Sequence, residues 1–537
     1  MNFLFFSFYF IWQLKQILFW LYFWQLKEYH LGRIKAHFQT SQGKRLIFDK
    51  EKILKILSLF FFKTNSFFGY FFLFFLYLGE VFFAILKKKF KFPVWTKKTI
   101  FLFFTFLFLQ GFIFYYFYSI KNFYLFLLWD IFLPFFFSLF LLFFQPFSFA
   151  WRIFYLEKAK RKIEKRKGLT VIAIIGSYGK TTTKEFLFKI LSEKFNVLKT
   201  KEHQNSETAI FQTVLNELNE DHQIFIAEIG AYNKGQIGYL SRIIQPTIGV
   251  ITGVNEQHLA TFGSMENLLS GEGGGELIDF LSKKKGILFL NGNNYYCQKI
   301  FQERKSLSKV ITFVAFPDQE IPQMDFDFLI KNIKIEKEWI EFELETKKEK
   351  MPLRVNLAGP HHLENLILAI AVSYYCFKMS LNEIKKALER ITLKDSSFRF
   401  IETKKGFFIL DSTYSANPQS VFSHLNYLSL FEGKKIFIFP SLIELGEKAK
   451  EIHKRIGREM GKKCDFVILT STDFLKELKE NAKKSGLKEE NIFLIEDPKE
   501  IFEKIKSILE IKDVVLLEGR LSPLLVSLLE KYGNENC

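Results

Sequence analysis

Cysteine is scarce in this sequence. Cys297, Cys376, Cys464 and Cys537 are the only four in 537 residues, and no C-x-x-C occurs. Thiols so far apart exclude a disulfide framework and a cysteine zinc site, and they fit a reduced compartment. Signatures of nucleic-acid binding are missing as well: no zinc-finger spacing, no RNA-binding motif, no interleaving of aromatic with basic residues. The net charge of +18 is therefore not read as a nucleic-acid footprint. A coding bias towards A and T, which favours Phe, Lys and Ile, accounts for part of that charge and part of the 69 phenylalanines. The N-terminus also lacks the basic n-region and small-residue cleavage site of a secretory signal, and further apolar runs follow it.

What is abundant is apolar sequence ahead of residue 150. Residues 3–24, 67–86, 99–118 and 123–145 are each long enough to cross a bilayer, which takes about 20 apolar residues. They predict a transmembrane helical region of about four spans over 1–150. The run "ILSLFFF" (56–62) is too short to cross and reads as interfacial. Glu80 and Asp130 fall inside spans. Acids at that depth are functional candidates, with packing into a helix bundle or snorkelling as the alternatives. The basic stretches 87–98 and 152–168 should face the cytoplasm, with "SIKN" (119–122) outside. The loop 25–66 is basic too, which conflicts with four spans unless the first segment lies in the interface or an extra partial crossing exists. Residues 151–168 are expected to be a basic juxtamembrane linker, of which 157–168 reads either as a helix near anionic lipid or as a solvated tether. The expectation is a multi-pass protein of the cytoplasmic membrane with its remaining domains in the cytoplasm.

After Gly168 the texture becomes that of an α/β protein. "TVIAII" reads as a buried strand, "GSYGKTTT" (176–183) as a turn and "KEFLFKILSEKF" as an amphipathic helix. Gly176, Ser177, Tyr178 and Gly179 would bring backbone amides to a phosphate at a helix N-terminus. Lys180 would reach the β- and γ-phosphates, and Thr181 or Thr182 would hold Mg²⁺. The spacing is G-x-x-G-K-T-T, with Ile174 where the longer P-loop has a glycine. ATP and Mg²⁺ are the expected cofactors.

Further stretches resemble the Mur ligases, which build the cell-wall peptide, and they occur in that family's order. They are "FIAEIGAYNKGQIGYLSRIIQPTIGVIT" (225–252), "EQHLATFGSMENL" (256–268), "GILFLNGNNYYC" (286–297), "GPHHLENLILAIAVSYY" (359–375), "FILDSTYSANPQSV" (408–421) and "SLIELGEKAKEIHKRIG" (441–457). The resemblance covers about 170–537. It implies a central ATP-binding domain, 169–355, with a mostly parallel sheet, and a dinucleotide-fold-like C-terminal domain, 356–537. Strands of the second would include "KKIFIFP", "DFVILT" and "VVLLEG". It implies an ATP-dependent amide ligase acting through an acyl phosphate. The partners would be a UDP-linked or lipid-linked muramoyl peptide and D-alanyl-D-alanine. By the same resemblance Lys180 and Thr181 hold the triphosphate and its metal. Glu228 is a Mg²⁺ ligand, His258 a second-metal ligand, Asn365 an adenine contact, Arg399 a γ-phosphate contact and Asp411 a ribose contact.

The sequence departs from the family in three ways. The lysine that the family modifies to a metal-bridging carbamate is absent, and that segment reads "LLSGEGGGELI" (268–278). Glu272, in a loop lengthened by Gly273, Gly274 and Gly275, is the candidate replacement carboxylate, with Glu276 as runner-up. His362, Ser412 and Gly253 stand where Asn, an acid and Asn are usual. The small domain that binds the UDP-sugar is not recognisable before residue 168, where the apolar region stands.

Overall fold

The computed structural model describes residues 2–47, 50–61, 67–86, 90–120, 123–201, 205–303, 308–316, 325–392, 398–413 and 416–535. Lys87–Lys89, Lys121, Asn122 and the Tyr414–Ser415 pair of the "DSTYSANP" stretch lie outside them, as does Phe62 of the short apolar run. The chain divides into Met1–Ile153 and Phe154–Cys537.

The first unit is helical. Among the described residues, three helices are long and apolar enough to cross a membrane, Asn2–Leu26, Lys97–Ser119 and Phe123–Glu164, while the helix Phe67–Leu86 counts as a shorter apolar helix over Phe71–Leu86. The last helix does not stop at residue 145. It runs Phe123–Glu164, through Pro134 and Pro146, and so takes in most of the stretch expected as a linker. Glu80 and Asp130 neither snorkel nor face outward. Both are buried and share Lys55, whose Nζ is 2.8 Å from Glu80 Oε2 and 2.6 Å from Asp130 Oδ2. Trp12 Nε1, Gln13 Nε2 and Tyr77 OH also donate to the Asp130 carboxylate, at 3.1, 2.8 and 3.1 Å. Lys55 sits on the helix Lys50–Phe61, which places this part of the basic 25–66 loop against the bundle. Charges in apolar surroundings persist only when paired and hydrogen-bonded, and this network meets that condition for Asp130.

The second unit holds two sheets. β1 (Thr170–Ile175), β2 (Val197–Lys199), β3 (Ile224–Glu228), β4 (Ile248–Ile251), β5 (Ile287–Asn291), β6 (Ser308–Val314), β7 (Phe328–Ile335), β8 (Ile340–Thr346) and β9 (Lys350–Val355) form the first, in the order β2-β3-β1-β4-β5-β6-β7-β8-β9. Pairing is parallel as far as β7 and antiparallel across β7-β8-β9. The uninterrupted apolar runs of β1 and β3 suit central strands covered on both faces, and both are buried nearly throughout. β10 (Arg399–Glu402), β11 (Phe408–Ser412), β12 (Lys435–Phe439), β13 (Phe466–Leu469), β14 (Ile492–Leu494) and β15 (Val514–Glu518) make the second sheet, ordered β10-β11-β15-β12-β13-β14. The strands expected from "KKIFIFP", "DFVILT" and "VVLLEG" are β12, β13 and β15.

One junction differs from the sequence reading. The helices Leu363–Phe377 and Leu381–Leu388 share the hydrophobic core of the first sheet with the helix Lys180–Leu191. The helix Leu363–Phe377 is apolar on most of its circumference and needs cover on more than one side, which the first sheet's core supplies. The second sheet begins at Arg399, so residues 363–388 pack with the first sheet although they lie beyond the expected domain boundary at 356.

Candidate active site

The loops after β1, β3 and β4 meet at the carboxyl ends of these adjacent strands, where open α/β sheets bind ligands. β1 ends at Ile175, and Gly176 to Gly179 turn the chain into the helix Lys180–Leu191. Among the described residues no side chain caps that helix, so its first amides, which have no partner within the helix, point to the position an anion would take. Gly179, at φ +78°, makes the turn while Asn365 packs against it, 2.1 Å from where a Cβ would stand. Thr183 Oγ1 also donates to Asn365 Oδ1 (3.2 Å). Asn365, expected at adenine, thus buttresses the loop from behind.

Two carboxylates flank the loop. Glu228, at the end of β3 beside Ile174, accepts from the Thr181 hydroxyl at 3.0 Å on both oxygens. It also accepts from Asn205 Nδ2 (3.1 Å) and Lys184 Nζ (2.9 Å). Glu272 accepts from Ser177 Oγ at 2.9 Å through one oxygen and meets His258 Nδ1 at 2.8 Å through the other. Burial pushes the Glu272 carboxyl up, but His258, Lys180 and the Ser177 hydroxyl outweigh it and hold the group below its usual range. Glu276 is elsewhere: it accepts from the Gly235 and Gly238 amides at 2.6 and 2.8 Å, at the start of the helix Gln236–Ile244. The three glycines between the two acids form a packed turn against Leu269, Ile251 and Ser270.

Lys180 is 9% exposed, and its Nζ donates to the Gly176 carbonyl at 2.5 Å. Thr182 is buried and Thr181 is the hydroxyl on Glu228. Gly253 has the Tyr178 ring in the space its side chain would need, with Tyr178 Cζ and OH 2.4 Å from an added Cβ. Arg399 and Asp411 face each other across β10-β11 at 3.0 Å, and Arg399 also reaches Glu530 at 2.8 Å. These contacts lie within the second sheet's domain and not at the loop. His362 is buried in the first sheet's core region, its ring 3.9 Å from that of His361.

The second domain touches the site through two segments, one at Asn417 and one at Glu444. Asn255 Nδ2 donates to Asn417 Oδ1 (3.1 Å), Ala260 N to the Glu444 carbonyl (3.1 Å), and His258 Nε2 lies 3.9 Å from Glu444 Oε2. Sequence reading missed Glu444, Lys184 and Asn205. Glu444 falls inside the "ELG" stretch, so a signal was present for it. Asn205 and Lys184 show theirs only once β3 is folded beside the loop.

The donors present fit Mg²⁺: a hydroxyl, two carboxylates and one imidazole, mostly hard oxygen. Among the described residues no three His, Cys, Asp or Glu side chains converge as a protein-only cage. Mg²⁺ commonly binds through one or two carboxylates plus substrate phosphates, and Glu228 with Thr181 beside the phosphate loop is such a half-site.

A neighbouring acid carries a pH prediction. Glu364 Oε2 accepts from Asn291 Nδ2 at 2.8 Å, and burial pushes its carboxyl up to about 7 from an ordinary 4.5. A raised folded-state value contributes stability below the ordinary value, and that contribution is lost as pH rises through the folded value. Glu364→Gln is therefore expected to unfold about 2 °C above the parent at pH 8 and with it at pH 4.5. Thermal melts at both pH values check this, and equal midpoints at pH 8 refute it.

These features define a nucleotide-binding α/β protein of the strand–loop–helix type with a second domain at its phosphate end. Residues 174–373 match the Mur ligase middle domain, and residues 398–521 match the Mur ligase glutamate ligase domain. The chain belongs to the Mur ligase family. It is 28% identical over 302 residues to the UDP-N-acetylmuramoyl-tripeptide--D-alanyl-D-alanine ligase of Buchnera aphidicola, covering 56% of this chain and 63% of that one. To the Bacillus subtilis enzyme of the same name it is 28% identical, over 54% and 60% of the two chains. The chain thus spans under two thirds of the length of these relatives. MurF from Acinetobacter baumannii shares the fold at TM-score 0.60 and 23% identity, over 70% of this chain and 79% of that one. MurF from Thermotoga maritima, in complex with ADP, does so at 0.59 and 23%, over 71% and 83%.

Proposed function

We propose that this chain is an ATP-dependent amide ligase of peptidoglycan precursor synthesis, joining D-alanyl-D-alanine to a UDP-linked muramoyl tripeptide. The observation that carries the reading is the pair of carboxylates on the phosphate loop, Glu228 on Thr181 and Glu272 on Ser177. A structural turn has no use for two buried acids at a helix N-terminus. A site for Mg·ATP does, because they place negative charge where a metal neutralises phosphate. The relatives' names support the substrates.

In this reading a substrate carboxylate oxygen attacks the γ-phosphorus of ATP and ADP leaves. The amine of D-alanyl-D-alanine then attacks the acyl carbon, inorganic phosphate leaves, and the amine gives up a proton as the amide forms. The helix N-terminus and Lys180 stabilise charge on the transferred phosphoryl group. Glu228, Thr181, His258 and Glu272 would hold Mg²⁺, which supplies charge neutralisation between the phosphate oxygens. Asn365 would hold the loop from behind, and Arg399 and Asp411 would serve γ-phosphate and ribose after the second domain closes. The test is full-length protein with ATP, Mg²⁺, UDP-muramoyl tripeptide and D-alanyl-D-alanine, read by product mass. Product on a lipid-linked acceptor alone would move the substrate assignment. No product and no amine-dependent phosphate release on either acceptor would leave a nucleotide-binding scaffold.

The apolar helices support a second part of the proposal: the protein is embedded in the cytoplasmic membrane as a multi-pass chain, with residues after 168 in the cytoplasm. Protease added to right-side-out cells is expected to leave the C-terminal two thirds intact, and lysed cells to lose it. Digestion from outside would reverse the topology, and recovery in the soluble fraction would remove the membrane assignment.

A further inference from the structure

Lys184 is an ammonium with 0% of its side chain exposed, one helical turn beyond Lys180 on the helix Lys180–Leu191. An ion at that depth costs several kcal/mol unless a partner compensates it. Its partner at 2.9 Å is Glu228 Oε2, whose side chain is 1% exposed. Glu185 lies farther off, at 3.8 Å. Glu228 has its remaining directions filled by Thr181 Oγ1 and Asn205 Nδ2. The carboxylate is therefore fixed in one orientation, and its charge is already balanced inside the protein.

We propose that Lys184 is a positioning residue that sets the order of metal binding: it holds Glu228 towards the phosphate loop and cancels its charge, so that a divalent cation is retained only together with nucleotide phosphates. The proposal rests on the nucleotide–metal reading of the site. Its physical basis is a choice between two effects. A free buried carboxylate attracts a dication strongly in a medium of low effective dielectric. A carboxylate already paired with a buried ammonium attracts it weakly, because the ammonium repels the cation from the far side. Oxygens of a bound triphosphate then supply the missing negative charge, and metal enters with ATP rather than before it. Lys180 does not play this part, since its Nζ lies on the Gly176 carbonyl, in the loop ahead of the helix.

The test is Mn²⁺ binding followed by electron paramagnetic resonance on the full-length protein, without nucleotide and with a non-hydrolysable ATP analogue. The parent is expected to hold Mn²⁺ firmly only with the analogue. Lys184→Met is expected to bind Mn²⁺ without nucleotide at least about tenfold more tightly than the parent. Lys184→Arg, which keeps the charge, should behave as the parent. Lys184→Gln, which keeps a donor without the charge, should follow Lys184→Met and serves if the latter does not fold. Uncharged variants that fold, yet bind nucleotide-free Mn²⁺ no better than the parent, overturn the role of Lys184 and leave the site reading intact. A parent that binds no Mn²⁺ even with the analogue overturns both.

Discussion

Lys180→Ala is expected to lower ATP-dependent ligation by about a thousandfold, the scale of losing a preorganised charge at a phosphoryl transition state, while the fold survives. The two halves of that expectation have separate grounds. Among the described residues the Nζ of Lys180 donates to the Gly176 carbonyl alone, and losing one such bond costs about 1 kcal/mol. The loop's shape is set by other contacts: Asn365 behind Gly179, and Thr252 Oγ1, which donates to the Tyr178 carbonyl. What alanine removes is the point charge at the mouth of the helix. Phosphate release and product mass measure the first half and a thermal melt the second. Near-normal turnover by a folded Lys180→Ala protein would end the assignment of the loop to ATP.

Glu272→Gln should cost 10- to 100-fold in ligation, the usual scale for a group that holds or orients a metal ligand, and the parent should be indifferent to bicarbonate. The substitution keeps size and hydrogen-bonding reach and removes only charge. It can still meet Ser177 and His258, so the fold has little reason to change. The family's lysine needs CO₂ to become a carboxylate, whereas Glu272 carries one on its own, 2.8 Å from His258 and 2.9 Å from the loop's Ser177. Activity in CO₂-depleted buffer with and without added bicarbonate is the direct comparison. Glu276→Gln is the control: that carboxylate caps a helix, so its loss should appear in stability, by about 1 kcal/mol, and hardly in rate. Equal loss of rate in both variants, or none in Glu272→Gln, would remove Glu272 from the metal site.

Much of this site was legible because its parts are local. A strand, a glycine turn and a helix within one short stretch declare a phosphate loop by spacing alone, and β12, β13 and β15 declare themselves by apolar runs. What was not legible depends on distance along the chain. Lys184 reads as one more lysine on an amphipathic helix until β3 places Glu228 against it. The glycines after Glu272 read as slack until Leu269 and Ile251 are seen to fill the space beside them. The helix Leu363–Phe377 has a periodicity that says only that it is buried. Which sheet it is buried on is decided by the neighbours, and the domain junction moved accordingly. In the apolar unit, composition put Glu80 and Asp130 among greasy residues, but the lysine that pairs them comes from a segment whose basic character stood in conflict with four spans.

Tyr178 and Gly253 constrain the routes by which this sequence can change. The ring occupies the volume that any side chain at 253 would need, at a backbone φ of +154° that itself suits glycine. Restoring the asparagine usual at that position is thus accepted only after the ring at 178 has been trimmed. The reverse order passes through a protein whose phosphate loop has been pushed off its strand. The two sites form a ratchet in sequence space: one step is open from either end, and the step back depends on which residue moves first.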